Sequence, residues 1–264
     1  MKFTCSCKAF EEACCNIVSL DTRKSYVHYR CNAPKSKEIM LSCHKNGISL
    51  TWYDLELGIE KAIEANVEEE GNLLLSIPAL SPIVKSLKGK ERDDITFIAN
   101  EKYMVDLRVS PSISKFQFFG RPATGYPGIP TYYVNDRFSL SKQLFSRMIG
   151  VTNHTFDTSK EASTVTGTLF EQSGHLLNAT AVDGCYLISQ TESAETDSEF
   201  CFALPQKALK ALERIFSSEE KAEDVEITVG SEQISLHTNG YSITSQLLKT
   251  GDFQKRIAIL KGLL

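Results

Sequence analysis

A chain of 264 residues, 42% of them apolar, is long enough for about two ordinary domains with real cores. Its net charge of −4 excludes a uniformly basic nucleic-acid binder but leaves room for a basic face on one side. No run approaches the about 18 apolar residues of a membrane span. Met1–Lys8 lacks the apolar core of a signal peptide, so a cytoplasmic protein with no membrane partner is expected.

Lys2–Ser6 reads as a strand and Lys8–Leu20 as a helix. Phe10, Ala13, Cys14, Ile17 and Val18 share one face of that helix, and Lys8, Glu11, Glu12, Cys15 and Ser19 the other. After the polar break at 21–25, strands are expected at Glu38–Cys43 and Ile48–Glu60, joined at Lys45-Asn46-Gly47, where Asn-Gly suits a hairpin. A further strand pair flanks the acidic Glu68-Glu69-Glu70-Gly71. Asn72–Ser76 then leads into a helix after Pro78, with Pro82 placed in its first turn. Asp94–Ala99, Tyr103–Val109 and Phe116–Phe119 read as strands. Gly120–Pro130, dense in turn formers, reads as an inter-domain segment.

The second half follows the same order. Phe138–Val151 is the expected helix, and Val165–Glu171 and Leu176–Ile188 the strands. Glu199–Leu204 precedes a second helix beginning at Gln206. Val225–Val229, Gln233–His237 and Tyr241–Leu248 complete a sheet. The fold class is therefore α+β, mostly antiparallel, with two helices in each of two tandem domains, 1–130 and 131–264.

The two halves are copies of one plan. Ser76-Ile77-Pro78 and Ala203-Leu204-Pro205 both open helices, their prolines 127 positions apart (78 to 205). Thr51-x-x-Asp54 has its counterpart in Thr180-x-x-Asp183, 129 positions on, and Gly125-Tyr126 in Asp252-Phe253, 127 positions on. A duplicated domain without catalytic spacing points to architecture as the function.

No nucleophile elbow, phosphate loop, zinc-protease or dinucleotide fingerprint is present, so no catalytic residue and no enzyme activity are expected. Asp93-Asp94, Glu68–Glu70 and Glu219-Glu220 sit at turns, where solvated charge is commoner than a Mg²⁺ site. The eight cysteines (Cys5, Cys7, Cys14, Cys15, Cys31, Cys43, Cys185 and Cys201) lack metal-ligand spacing and read as small hydrophobes; no metal or cofactor is expected. The helices are more telling. Lys85, Lys88, Lys90 and Arg92 close one; Lys142 and Arg147 lie on the next; Lys207, Lys210 and Arg214 stand on the last against a single Glu213. Two readings stay open: ordinary solvated faces, or cationic helices facing phosphates without base readout.

Met1-Lys2-Phe3-Thr4 before a helix, Thr51-Trp52-Tyr53-Asp54-Leu55-Glu56-Leu57-Gly58-Ile59-Glu60, Tyr126-Pro127-Gly128-Ile129-Pro130 and Thr180-Ala181-Val182-Asp183-Gly184-Cys185-Tyr186-Leu187 together resemble signatures of the bacterial DNA polymerase III β subunit, the sliding-clamp family. The resemblance spans the whole sequence. It implies DNA-clamp domains with antiparallel sheets outside and helices inside, a ring around duplex DNA, and processivity in replication with no catalysis of its own. Lys24, with Arg23 beside it, falls where the family has an arginine near DNA. These two, with Lys85, Lys88, Lys142, Arg147, Lys207 and Lys210, are the DNA-facing candidates. The resemblance also implies a pocket for peptides of DNA polymerases and clamp loaders, at or beside Val165, Val182, Gly184, Leu187, Ile259 and Leu260. Cys185-Tyr186 replaces the usual His-Arg there, Gln254 the usual proline and Ala258 a usual arginine. The family has three domains and this sequence matches two. Six domains close such a ring, so a head-to-tail homotrimer is expected. The alternative is a clamp-fold protein that does not encircle DNA and acts as an interaction or regulatory module.

Overall fold

The structure, a computed structural model, describes residues 1–18, 37–153, 166–183, 186–194, 198–218 and 223–262. Backbone proximity divides the chain into two units, Met1–Ile129 with Gly240–Ser242, and Pro130–Asn239 with Ile243–Leu264.

In the first unit, β1 (Lys2–Ser6) buries Phe3 and Cys5 at period two. It runs into α1 (Cys7–Val18), whose Cys7, Phe10, Ala13, Cys14 and Ile17 form a buried stripe at helical spacing. There follow β2 (Glu38–His44), β3 (Gly47–Tyr53), β4 (Leu57–Ile63), β5 (Ala65–Glu69), β6 (Gly71–Ser76), α2 (Ile77–Leu87), β7 (Asp94–Ala99), β8 (Met104–Ser110), β9 (Ser114–Phe119) and the short β10 (Arg121–Pro122). One sheet has the order β5-β1-β7-β8-β9; in the other, β10-β6-β2-β3-β4 are successive neighbours. α1 packs against α2.

The stretch expected as one strand, Ile48–Glu60, is two. The Asp54 carboxylate accepts the N–H groups of Glu56 at 3.2 Å and Leu57 at 2.9 Å, and Leu55 takes a left-handed φ of 79°. That side-chain-to-backbone turn does the work of a Gly or Pro. Pro82 lies deeper in α2 than the expected first turn, where its ring gives up one helical hydrogen bond. Gly47 opens β3 opposite His44 at a φ of 140°. A Cβ there would sit 2.6 Å from the Ile63 carbonyl oxygen, so the strand start requires glycine.

The second unit contains β11 (Asp136–Leu140), α3 (Lys142–Asn153), β12 (Gly167–Ser173), β13 (Leu176–Asp183), β14 (Tyr186–Ser193), β15 (Phe200–Pro205), α4 (Gln206–Ser218), β16 (Val225–Val229), β17 (Gln233–Thr238), β18 (Tyr241–Gln246) from its third residue on, and α5 (Thr250–Lys261). Phe138–Leu140, expected as the start of a helix, is strand. Its buried Phe138 and Leu140 alternate with exposed residues while β11 pairs with β16. Leu176–Ile188 divides into β13 and β14, which pair with each other. Stacked rings fill the core: Phe138 on Phe200 at 4.0 Å and Phe170 on Phe202 at 5.3 Å. α5 is a third helix beside the two expected.

The duplication is visible in the strand orders. β6-β2-β3-β4 of the first unit corresponds to β15-β12-β13-β14 of the second, and β1-β7-β8-β9 to β11-β16-β17-β18. α3 packs on α4 as α1 packs on α2. Displaced by 129 positions, buried Leu80, Ile83 and Leu87 of α2 become buried Leu209, Leu212 and Phe216 of α4, while buried Val84 falls on half-buried Glu213.

Candidate functional site

Each helix of the α2/α4 pair turns its apolar stripe inward and is left with a polar outer face. On α2, Leu80, Ile83, Val84 and Leu87 are buried, while Lys85 in the last turn and Lys88 at the C-cap are exposed. On α4, Ala208, Leu209, Ala211, Leu212, Ile215 and Phe216 are buried; Lys210 and Arg214 are exposed and Lys207 half-buried. The 129-position displacement that aligns the helices places Arg214 on Lys85. The two units thus carry a cation at the same place in the repeat. The helical stripe in the sequence shows Arg214 as a cation of α4, and the equal 129-position offset from β6 to β15 and from α2 to α4 makes it the counterpart of Lys85.

α3 departs from the expectation. Lys142 is only 7% exposed, so its ammonium is not presented to a phosphate. Arg147 is exposed but forks onto Glu192 of β14, with Nη2 at 2.6 Å and Nε at 3.3 Å from the carboxylate. That hydrogen-bonded guanidinium holds the Glu192 carboxyl below its ordinary pKa and raises its own. Its charge is matched within the unit and adds little to an outward field. Arg23 and Lys24 lie outside the described residues. α1 offers no net positive face: Lys8 lies 3.7 Å from Glu12, and Glu11 is its neighbour.

Glu219 and Glu220 lie outside the described residues, and three of the other clustered carboxylates have local partners. Glu68 holds the Lys2 ammonium at 2.6 Å, Glu69 the chain's amino group at 3.3 Å, and Asp93 accepts the Ser112 hydroxyl. Cys5, Cys7, Cys14 and Cys43 are buried, Cys15 half-buried and Cys201 exposed; Cys31 and Cys185 lie outside the described residues. Burial pushes the Cys5 thiol up to about 12 and Cys14 well above its ordinary value, which makes both poor nucleophiles and poor metal ligands.

The apolar pocket candidates centre on one cluster of the second unit. Leu169 of β12, Val182 of β13 and Ala203 of β15 are buried together with Phe253 of α5, and Leu248, Ile257 and Leu260 pack against them. Val182 and Leu260 therefore belong to one packed cluster. Leu187 is half-buried on β14, directly opposite Val182 in the strand pairing. Ile259 does not join: it is 64% exposed, because a helix that turns Phe253, Ile257 and Leu260 inward turns residue 259 outward. Val165 and Gly184 lie outside the described residues. Gly167 lets the cluster close, since a Cβ there would lie 2.2 Å from the Leu204 carbonyl oxygen and 2.8 Å from Leu248 Cδ1.

Tyr126 near the end of the first unit and Phe253 near the end of the second are each held by their own unit. The Tyr126 hydroxyl accepts the Tyr53 N–H at 3.0 Å and lies 3.2 Å from the Thr51 carbonyl oxygen, and burial raises its pKa to about 12.

Comparison with known proteins accords with this duplicated plan. The family model of the DNA polymerase III beta subunit N-terminal domain matches residues 1–130, and that of its central domain residues 139–255. The beta sliding clamp of Synechocystis sp. is 25% identical over 224 residues, covering 78% of this chain and 56% of the relative. That of Synechococcus elongatus is 28% identical over 206 residues, covering 75% and 53%. The chain thus spans little more than half the length of these relatives. Among solved structures, the DNA polymerase III beta subunit of Thermotoga maritima superposes with a TM-score of 0.79 at 18% identity, covering 96% of this chain and 66% of that one. That of Pseudomonas aeruginosa gives 0.79 at 22% identity, covering 97% and 67%. These likenesses establish the shared fold. With two adjacent domain models of one family matched in order along most of its length, the chain belongs to the DNA polymerase III beta subunit family.

Proposed function

We propose that this chain is a sliding-clamp-like processivity factor: it encircles duplex DNA without regard to sequence and tethers replication proteins, any polymerase activity belonging to the partner. The observation that carries this reading is the recurrence of an exposed helix cation at one repeat position, Lys85 and Arg214, within matched domains of the family. Cations repeated on rigid helices attract phosphates over a distance and read no base edge, which lets a protein stay on DNA and still move along it. A protomer of two such domains would close a six-domain ring as a head-to-tail trimer, since a heterologous contact closes by rotation. DNA polymerase and clamp-loader peptides are assigned to the apolar cluster around Val182 and Leu187. No helix among the described residues is long and apolar enough to cross a membrane, and the protein is assigned to the cytoplasm with replicating DNA.

The test is topological. Loaded on a nicked circular plasmid, a ring is retained through gel filtration and is lost once the plasmid is cut; retention that survives linearisation refutes encirclement. Light scattering that finds only monomer at micromolar concentration refutes the trimer. The second reading is a clamp-fold module that does not encircle DNA. Weak DNA retention, indifferent to cutting, identifies that module.

A further inference from the structure

Three contacts inside the first unit supply a template. That unit takes in Gly240–Ser242, the start of β18, and β4 and α1 hold them. The Ala62 amide donates to the Gly240 carbonyl at 3.1 Å. The Lys61 ammonium stands 4.1 Å from the centre of the Tyr241 ring, and the Asn16 side-chain amide donates to the Tyr241 hydroxyl oxygen at 2.8 Å. The contact is polar, and both Asn16 and Tyr241 are buried in it.

Each side of this contact has a counterpart in the repeat. β14 follows β4 at 129 positions, so Gln190 falls on Lys61 and Thr191 on Ala62. At 135 positions, buried Phe3, Phe10 and Cys14 become buried Phe138, Phe145 and Ile149, which puts Val151 of α3 on Asn16 of α1. β18 follows β9 at 127 positions, because the Gly120 amide meets the Tyr103 carbonyl as the Leu247 amide meets that of Glu232. Ile113 and Ser114 thus fall on Gly240 and Tyr241. β9 and β14 each end their sheet among the described strands, which leaves one row of backbone groups open to a further strand.

The counterparts are apolar where the template is polar. Ile113 is 94% exposed and Val151 43%. Ile113 also takes a left-handed φ of 49°, which a β-branched residue avoids. In the matching turn between β17 and β18 the left-handed positions are held by Asn239 and Gly240, which tolerate them. Side-chain bonds to the loop after α2 fix both neighbours of Ile113: the Lys90 ammonium donates to the Ser114 hydroxyl at 2.6 Å, and the Ser112 hydroxyl donates to the Asp93 carboxylate. The hairpin therefore holds one strained isoleucine out into solvent, the arrangement of an interface anchor.

We propose that Ile113 of one copy docks on Val151 of a second copy, with β9 of the first laid along β14 of the second. A Cβ at Gly240 would lie 3.6 Å from the Ala62 carbonyl oxygen and 3.8 Å from the Lys61 ammonium. The side chain of Ile113, at that place in the repeat, therefore runs against Gln190 and Thr191 toward Val151. The apolar pair also sorts the edges. Ile113 brought to Asn16 leaves an amide without the hydrogen bond it makes to Tyr241, and Tyr241 brought to Val151 loses the same bond. Each edge thus selects its own mate. The inference rests on the ring reading, for a protomer of two such units, and adds which faces join copy to copy and what chemistry selects them.

Two cysteine variants test the joint, Ile113→Cys and Val151→Cys, each in a chain that also carries Cys201→Ser to remove an exposed native thiol. Mixed in equal amounts without DNA and oxidised with copper phenanthroline, they should give a disulfide-linked pair on a non-reducing gel, above the background of the Cys201→Ser chain. Neither variant alone should do so, because a head-to-tail joint does not bring two copies of one residue together. Ile113→Asp changes a side chain that the fold does not bury. It should raise the concentration for half-association at least about tenfold in a light-scattering dilution series, and Ile113→Val should leave it unchanged. No cross-link in the mixture, a cross-link with Ile113→Cys alone, or Ile113→Asp associating like the unaltered chain overturns the joint. Plasmid retention is measured separately on the unaltered chain. A cross-link together with retention that survives linearisation refutes the ring and keeps the joint; retention lost on cutting, with no cross-link, refutes the joint and keeps the ring.

Discussion

Removing the two repeat-equivalent cations, Lys85→Ala with Arg214→Ala, tests whether α2 and α4 face DNA. Four exposed cations stand on these helices in each chain: Lys85, Lys88, Lys210 and Arg214. If each neutralises one phosphate, log K falls against log salt with a slope of about −3.6 per chain, and the double variant, with two cations left, has a slope of about −1.8. Between 50 and 200 mM salt the parent chain then loses about 150-fold in affinity and the variant about 12-fold. Both positions are exposed on helices, where alanine is the best helix former, so the fold is expected to survive. Anisotropy of a labelled duplex across a salt series reads the slope, and two duplexes of unrelated sequence check that the loss is uniform. Arg147→Ala is the control: its charge is already held by Glu192, so the slope should not move. A double variant with the parent's slope, or a loss confined to one sequence, refutes the placement of DNA against these helices.

Three further outcomes are expected. Gly167→Ala drives a Cβ into the Leu204 carbonyl, which cannot yield without breaking the β12–β15 pairing; it should cost about 1–3 kcal/mol by urea denaturation, and an unchanged midpoint contradicts the geometry. Glu192 has its carboxyl pKa lowered in the fold by Arg147, so its contribution is present above the unfolded value of about 4.3 and is lost as pH falls through the lower folded value. Glu192→Gln should therefore lower Tm at pH 7 and converge with the unaltered chain in acid; a Tm difference that does not shrink in acid rejects the pairing. Peptide mapping after iodoacetamide at pH 8 should find Cys5 and Cys14 unmodified in the folded chain and modified in urea, because burial holds both thiols protonated; labelling of either in the folded chain disproves their burial.

What was legible in the sequence was whatever local pattern decides by itself. The stripe of α1, the acidic turn between β5 and β6, and Pro78 at the start of α2 all announce their elements. The errors fall where a tertiary partner or a side chain substitutes for the usual signal. Asp54 closes a turn that contains no Gly or Pro. Phe138 and Leu140 fit helical and strand spacing equally over so short a run, and pairing with β16 decides. α5 was missed because its helix signals are poor and its order comes from the surface beneath it. The helical stripe set Lys85 and Lys210 on the outer faces of their helices, where they are exposed. Nothing local distinguished Lys142, whose burial depends on the packing of α3, or Arg147, whose partner stands 45 residues away on another element.

A chain of net charge −4 that is proposed to hold DNA must keep its charges apart. Here acids are held by local partners: Glu68 by Lys2, Glu69 by the amino terminus, Asp106 by Arg108 and Lys115, and Glu192 by Arg147. Each such pair cancels at short range, within about one Debye length of 8–10 Å at physiological salt. The cations of α2 and α4 outnumber the acids on the same faces, and attraction at a surface follows this local excess rather than the total. A uniformly basic chain would grip phosphates hard enough to resist movement, because every added contact steepens the salt dependence. On the proposed reading, two cations on each of two repeated helices, on an otherwise acidic molecule, would give attraction that is weak at any one phosphate and renewed at the next. That balance is what a protein needs if it is to stay on DNA and slide.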